Sequence, residues 1–148
     1  MFNFRLEPLI TIRDNELKER QAELAKAYET RRIHEEALKT VEEQLAEGVE
    51  TARSLTQEGQ TVNVEFLLGI RRQEMFLRAD QEDLVKKIKL ADKEIEQRLA
   101  AVIEANKELK TIEKLKEKQY EKYLEEENKN ETKIMDEIAG VRRSMHRE

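Results

Sequence analysis

Few residues in this chain could do chemistry, and their spacing is wrong for it. The segment His34-Glu35-Glu36-Ala37-Leu38 opens like the HExxH helix of zinc hydrolases. There, two histidines one turn apart hold the metal while the glutamate activates water. Leu38 stands where the second histidine is required, and His146, the only other histidine, lies in a basic tail. The chain has no cysteine, which excludes disulfides and thiolate zinc sites. No nucleophile–base pair and no GxGxxG or GxxxxGK[ST] phosphate loop occurs. Carboxylates are abundant, but they alternate with Lys and Arg at helical spacing. That is the pattern of a solvated face laced with i,i+4 ion pairs, not of an acid and base facing each other in a dry cleft. The sequence therefore predicts no catalytic residue, no metal or other cofactor, and no small-molecule substrate.

Composition says why no cleft is expected. Of 148 residues 41% are charged, against roughly 25% in ordinary globular domains. With 38% apolar residues, the chain is too polar to wrap a core of several layers. It is not diluted into disorder, because the apolar residues recur at helical intervals. A Rossmann-like or barrel enzyme and a disulfide scaffold are thereby excluded. A membrane-spanning protein is excluded too, since no stretch approaches the roughly 20 apolar residues a bilayer requires. The net charge of −5 argues against nucleic acid as a partner, leaving only the short patch Arg142-Arg143 with Arg147. Met1 to Leu6 lacks the basic start and apolar run of a secretory signal, so a cytoplasmic location is expected.

Periodicity supplies the architecture. Pro8 lies where a first helical turn tolerates it, its missing amide being one that needs no partner. Helix formers then dominate, and a seven-residue series runs Ile10, Leu17, Leu24, Arg31, Leu38, Leu45, Ala52. The companion positions (Leu6, Ala27, Val41 and Leu55, with Arg13, Arg20 and His34) are weaker. Ser54 to Asn63 gathers Gly, Ser, Thr and Asn and marks a turn, with Thr61 or Asn63 placed to cap the second helix. Beyond the turn a stripe of alternating three- and four-residue steps runs from Leu67 to Ile112, interrupted by Glu74, Gln81 and Arg98. The expected fold is all-α: a long two-helix antiparallel coiled-coil hairpin with an overhanging C-terminal helix, in one domain over 1–148. Its expected bounds are helix about 6–53, turn about 54–62, helix about 63–140 ending at Gly140, and a frayed tail 141–148. Reversal near Gly59-Gln60 implies that facing residues have numbers summing to about 119, so that Ile10 meets Leu109 and Arg31 meets Ile88. A hairpin of this kind is expected to be monomeric alone. The polar seam residues Arg31, Glu74, Gln81 and Arg98 either fix this register or mark a seam kept loose for a partner.

At 1.5 Å per residue the first helix is expected to reach about 75 Å and the second about 115 Å. The second then overhangs from about Lys118, and its stripe Ile134, Ile138, Val141 either serves a partner or is covered by Phe2 and Phe4 or by a second copy. Near the turn, Val62 to Leu77 holds more apolar side chains than one stripe can bury. Phe66, Leu68 and Phe76 cannot all face the first helix, so the tip is expected to form either a small cap or a docking knob.

The two ends of the sequence resemble one family. Phe4-Arg5-Leu6-Glu7-Pro8-Leu9-Ile10, followed by Arg13, Glu16 and Leu24-Ala25, resembles the start of the flagellar export protein FliJ. Leu109 to Lys118 (LKTIEKLKEK), the acidic helix with Tyr120 and Tyr123, and Met135-Asp136-Glu137-Ile138-Ala139 are similar to that family's C-terminal half. The resemblance implies a non-enzymatic component of the bacterial flagellar type III export apparatus, built like the central stalk of rotary ATP synthases. It implies three partners: the hexameric export ATPase (FliI-like), the export gate protein (FlhA-like) at the cytoplasmic face of the membrane, and export chaperones. By that analogy Phe4, Leu6, Leu9, Ile10 and Arg13, with Asp136, Glu137 and Ile138, contact the ATPase. Val41, Gln44, Phe66, Leu68 and Phe76, nearer the turn, serve the gate or chaperones. The competing readings are the equivalent stalk of a virulence type III secretion system, a rotary ATPase stalk subunit and a generic coiled-coil adaptor. A prefoldin-like chaperone would need strands that the sequence does not suggest.

Overall fold

The computed structural model describes residues 1–59 and 61–147; Gln60, at the expected reversal, and Glu148 lie outside the described residues. The chain is two helices, α1 (Glu7–Leu55) and α2 (Val64–Arg147), packed against each other as a hairpin. The Leu6 carbonyl accepts the Leu9 and Ile10 amides at 2.9 and 3.3 Å, starting α1 around Pro8 without asking that residue for a donor. At the other end Thr56 folds its hydroxyl back onto the Ala52 carbonyl at 2.8 Å, and Gly59 turns the chain with φ 86°. Asn63 caps α2: its side-chain oxygen accepts the Phe66 amide at 3.3 Å and its carbonyl the Leu67 amide at 3.1 Å.

Gly140 does not end α2, which continues to Arg147, through all but the undescribed last residue of the expected frayed tail. Among the described residues the one glycine with positive φ is Gly59, so Gly140 keeps helical angles. A helical glycine costs about 1 kcal/mol relative to alanine but does not break a helix that good formers continue.

By contact density the chain divides into two compact units, Arg20–Val102 and Met1–Glu19 with Ile103–Glu148. In the first, Ala27, Val41 and Ala91 are buried, and the large seam residues Leu24, Leu38, Leu45, Leu77, Leu84 and Ile95 are half-buried. The deepest positions on α1 are thus two members of the weaker companion series. Small side chains there let the backbones approach, and the larger neighbours then cover them. In the second unit Ala105, Leu109 and Phe4 are buried, Phe4 to 4% exposure. The Phe2 ring packs edge-on to Tyr120 at 5.2 Å and tilted on Tyr123 at 5.5 Å.

The register differs from the expected one. Ion pairs cross the seam from Arg98 to Glu23 at 3.0 Å and from Arg31 to Asp92 in one unit. In the other they run from Arg13 to Glu108 at 3.0 Å and from Lys116 to Glu7 at 2.7 Å. Facing residues in each unit therefore have numbers summing to about 122, not 119, which keeps both heptad series in the seam while changing which member meets which. Side-chain size explains the choice. The observed register sets Arg31 opposite Ala91 and Glu74 opposite Gly48. The expected one would have set them against Ile88 and Leu45, with no room for a charged group to reach water. Seam polarity thus fixes register through its small opposite numbers. The ion pairs themselves are a third to a half exposed and add little.

Glu74 is held within α2, between Arg71 and Arg78 at 3.1 Å each. Its bond from Arg78, then that from Arg71 and the charge of both, hold its carboxyl below the ordinary value. Opposite it, Gly48 and Ala52 leave an open cleft of about 400 Å³.

The two seam and turn glycines should respond to one substitution with opposite sign. A Cβ on either would meet nothing within 4 Å, so only the backbone decides. Gly59→Ala should lose about 1–2 kcal/mol by forcing L-chirality into left-handed φ. Gly48→Ala should gain about 0.5–1 kcal/mol by removing a helical glycine. Urea unfolding followed by far-UV circular dichroism reads both. Acid should act through Glu74. Because its folded pKa is depressed, its contribution is present above the unfolded value near pH 4.5 and is lost as pH falls through the lower folded value. Glu74→Gln should therefore flatten the fall in urea midpoint below about pH 4.5 while leaving the arginines in place.

Candidate docking surfaces

In the unit Arg20–Val102, α2 begins one turn before the residue that faces the end of α1, since Leu67 stands opposite Leu55 in the observed register. Val64 and Phe66 consequently have no α1 residue to cover them and are 64% and 52% exposed. Leu68 at 52%, Met75 at 66% and Phe76 at 70% are also in water, so these side chains form no cap among the described residues. At 100° per residue Leu68, Met75 and Phe76 lie together on the outer face of α2, while Phe66 lies on the flank of the seam, about 160° from Leu68. The structure thus brings Leu68 and Phe76 together and sets Phe66 apart. Gln44 is exposed and borders a shallow groove with Leu45, Gly48, Val49 and Gln73. Val41 is buried at 9% exposure, a seam residue rather than a surface one.

In the other unit, Phe4 is buried and Leu6, Leu9, Ile10 and Arg13 are half-buried along the seam. Arg13 is already engaged: one guanidinium nitrogen donates to Glu16 and Glu108, both at 3.0 Å. Its Nε is buried without a partner among the described residues. Partial burial pushes the Tyr123 phenol above its ordinary value, and the Glu127 carboxylate adds to the shift. Phe2 packs on Tyr120 and Tyr123, at about the level the observed register gives it, and from Leu124 to Arg147 every residue is exposed.

Asp136, Glu137 and Ile138 lie in that uncovered stretch, roughly 25–30 Å along α2 from the level of Phe4. The structure does not bring them together with the N-terminal residues. Of the three only Ile138 (49% exposed) belongs to an apolar stripe, with Ile134 (56%), Val141 (57%) and Met145 (74%); Glu137 flanks it and Asp136 lies on the opposite side of the helix. The stripe is rotated by one residue from the seam heptad, so continuing the seam along α2 would bury none of it. Sequence reasoning misses Met145 because Gly140 reads as the end of the helix. It misses Ile12, 52% exposed on α1 beside the seam, because that residue falls outside both heptad series.

Among the described residues no cluster of three or more metal-ligating side chains exists, and no helix is long and apolar enough to cross a membrane. The arrangement offers surfaces for docking: an outer face at the tip, and an apolar stripe on an unpaired helix.

Comparison with known proteins agrees with this architecture. The solved structure of a protein described as a YscO homologue, CT670 from Chlamydia trachomatis, superposes with a TM-score of 0.62 at 20% identity. The superposition covers 99% of this chain and 98% of that one. At that identity the likeness speaks for the fold. No curated protein sequence matches significantly. The family described as Flagellar FliJ protein matches residues 1–148, and the chain therefore belongs to that family of non-catalytic components of the type III flagellar export apparatus.

Proposed function

We propose that the chain is a non-enzymatic coupling component, a stalk-like coiled coil that binds the hexameric flagellar export ATPase and links it to the export gate and to export chaperones. The observation that carries this reading is the stretch of α2 from Leu124 onward: a helix with an exposed apolar stripe and no partner within its own unit. A helix presenting apolar residues at three- and four-residue steps is the form in which one chain enters a groove or ring of another. Membership of the family supports the flagellar export ATPase as that ring.

The two expected contact sets divide by accessibility. For the ATPase, Asp136, Glu137 and Ile138 present themselves directly, and Leu6, Leu9 and Ile10 offer only their outer edges. Phe4 and Arg13 act by holding the N-terminal segment on α2. For the gate and chaperones, Leu68 and Phe76 form the primary surface, Phe66 and Gln44 flank it, and Val41 supports it from the seam. A role at the gate puts the protein in the cytoplasm, peripheral to the inner face of the membrane, and ATP hydrolysis belongs to the partner. A second reading, the equivalent stalk of a virulence secretion system, draws support from the likeness to the YscO homologue. The two readings are separated by which ATPase the chain binds.

The direct test is the hydrolysis rate of the flagellar export ATPase from the same organism, titrated with this chain and paired with sizing of the hexamer. Stimulation with ring formation, lost when residues beyond Lys118 are removed, is the expected outcome. A flat rate and unchanged assembly at saturation would count against the stalk. For the second surface, Leu68→Ser with Phe76→Ser should leave helicity intact, since both side chains are already in water, and should weaken gate binding by about tenfold or more. Unchanged gate affinity would remove the tip from the interface.

A further inference from the structure

Beyond Tyr123, where the Phe2 ring rests, every residue of α2 is exposed, so the helix there is held by its own bonds alone. Among the described residues the last ion pair along α2 joins Lys116 to Glu7. Exposed faces elsewhere are laced, as by Arg32 with Glu29 and Glu36 or Lys87 with Asp83. One turn early in the uncovered stretch is also poorly suited to stand unsupported. Asn128, Asn130 and Thr132 put three weak helix formers within five positions. Their short polar side chains compete for neighbouring backbone groups, which is how a helix ladder is opened. Glu127 with Glu131, and Lys129 with Lys133, set like charges four residues apart and weaken the same turn. Lys129 stands three and four residues from Glu126 and Glu125, yet among the described residues it pairs with neither. In the seam such residues are carried by packing, as Asn106 and Thr111 are beside the buried Ala105 and Leu109. Around Asn130 nothing carries them.

We propose that residues 128–132 are a joint, a weak turn at which α2 opens locally and bends. Side chains or water entering the ladder at Asn128, Asn130 and Thr132 break its bonds there. The arm 133–147, about 22 Å of helix, then changes direction as a unit while the helix up to Tyr123 stays packed. That arm carries the stripe Ile134, Ile138, Val141 and Met145. A joint at its base lets the stripe take its direction from the surface it meets, instead of from the line of the seam. Gly140, followed by the β-branched Val141, is the other weak point of the arm. Bending there would split the stripe, whereas bending at 128–132 keeps it whole. The joint belongs to the chain itself: it depends on no reading of the partner, and no partner is needed to detect it.

The experiment measures distances between two nitroxide labels in the full chain, alone and dilute, by pulsed electron paramagnetic resonance. The chain has no cysteine, so introduced ones are the only labelling sites. Lys122→Cys with Arg143→Cys brackets the joint at a spacing of about 32 Å in a straight helix. Arg72→Cys with Lys93→Cys has the same sequence separation where α2 packs on α1, and Lys133→Cys with Ser144→Cys lies within the arm. The bracketing pair should give a distribution about twofold broader than the packed pair, extending to shorter distances, and the pair within the arm should stay narrow. Asn128→Ala, Asn130→Ala and Thr132→Ala should each favour the local helix about threefold, roughly thirtyfold together. Combined, they should narrow the bracketing pair to the width of the packed one, and Gly140→Ala should leave it broad. A bracketing pair as narrow as the packed one without those substitutions would overturn the joint. So would breadth that the triple substitution does not reduce, narrowing by Gly140→Ala alone, or a broad distribution within the arm, which would mean that the whole stretch frays.

Discussion

Each helix in this molecule has a single partner, and the rest of the structure depends on that constraint. A two-helix seam removes one stripe of each helix from water and no more. The deepest residues are accordingly small ones, Ala27, Ala91 and Ala105, with Val41, Leu109 and Phe4 beside them. Larger seam residues stay half-buried, because nothing covers their outer edges. Burial at about 25 cal/mol per Å² then comes from many partial contributions along the seam and not from one dense centre. Among the described residues no polar or charged residue is buried, and recognition by such a structure draws on its surfaces.

The same constraint makes register the central problem of the fold. A seam of uniform leucines would slide, since one heptad step costs little when every layer is alike. Here the layers are unequal. Arg31 needs the space over Ala91, Glu74 the space over Gly48, and each charged head reaches a counter-ion at the edge of the seam. A slip of one heptad one way would set Arg31 against Leu84 and Glu74 against Val41, and the other way Arg31 against Arg98 and Glu74 against Leu55, stranding charges for which the present arrangement provides an exit. The polar interruptions act as size markers more than as bonds. Their ion pairs are too exposed to be strong, yet their stems admit only one set of opposite numbers.

Much of this is legible in the sequence. Both heptad series, the turn at Ser54 to Asn63, the Asn63 cap and the tolerance of Pro8 are each written in residue type and spacing. The two series stand in the seam as expected. Features that depend on matching one helix to the other are not legible in that way. The centre of the turn suggests one register, but opposite side-chain volumes decide it, and Gly48 reads as a weak helix position until Glu74 is set against it. Gly140 carries a stop signal that only a left-handed φ would make effective, and the signal is instead effective at Gly59. Phe4 and Val41 look like surface anchors because the family resemblance assigns them to contacts with other proteins. Phe4 is buried in the unit that the N-terminal segment forms with the C-terminal part of α2, and Val41 because it lies in the seam.

The apolar residues that the seam cannot use are informative for the same reason. A helix that is half in water can leave single apolar side chains exposed at modest cost, and Leu90 at 65% and Ile33 at 53% exposure are of that kind. Leu68 with Met75 and Phe76, and Ile134 with Ile138, Val141 and Met145, are different because they are contiguous on one face. Contiguity converts scattered transfer costs into a surface that a single partner can cover at once. The second group also lies on a stretch of helix with no packing of its own. An unsupported helix in water is marginal, since most helical stability in proteins comes from packing of the apolar face. Whatever covers the stripe therefore does two things together: it removes the side chains from water and it stabilises the backbone that carries them. Binding and helix stability are coupled in that stretch. The seam of the hairpin, where the partner is already present in the same chain, has no comparable coupling, and this difference makes the uncovered part of α2 the responsive part of its unit.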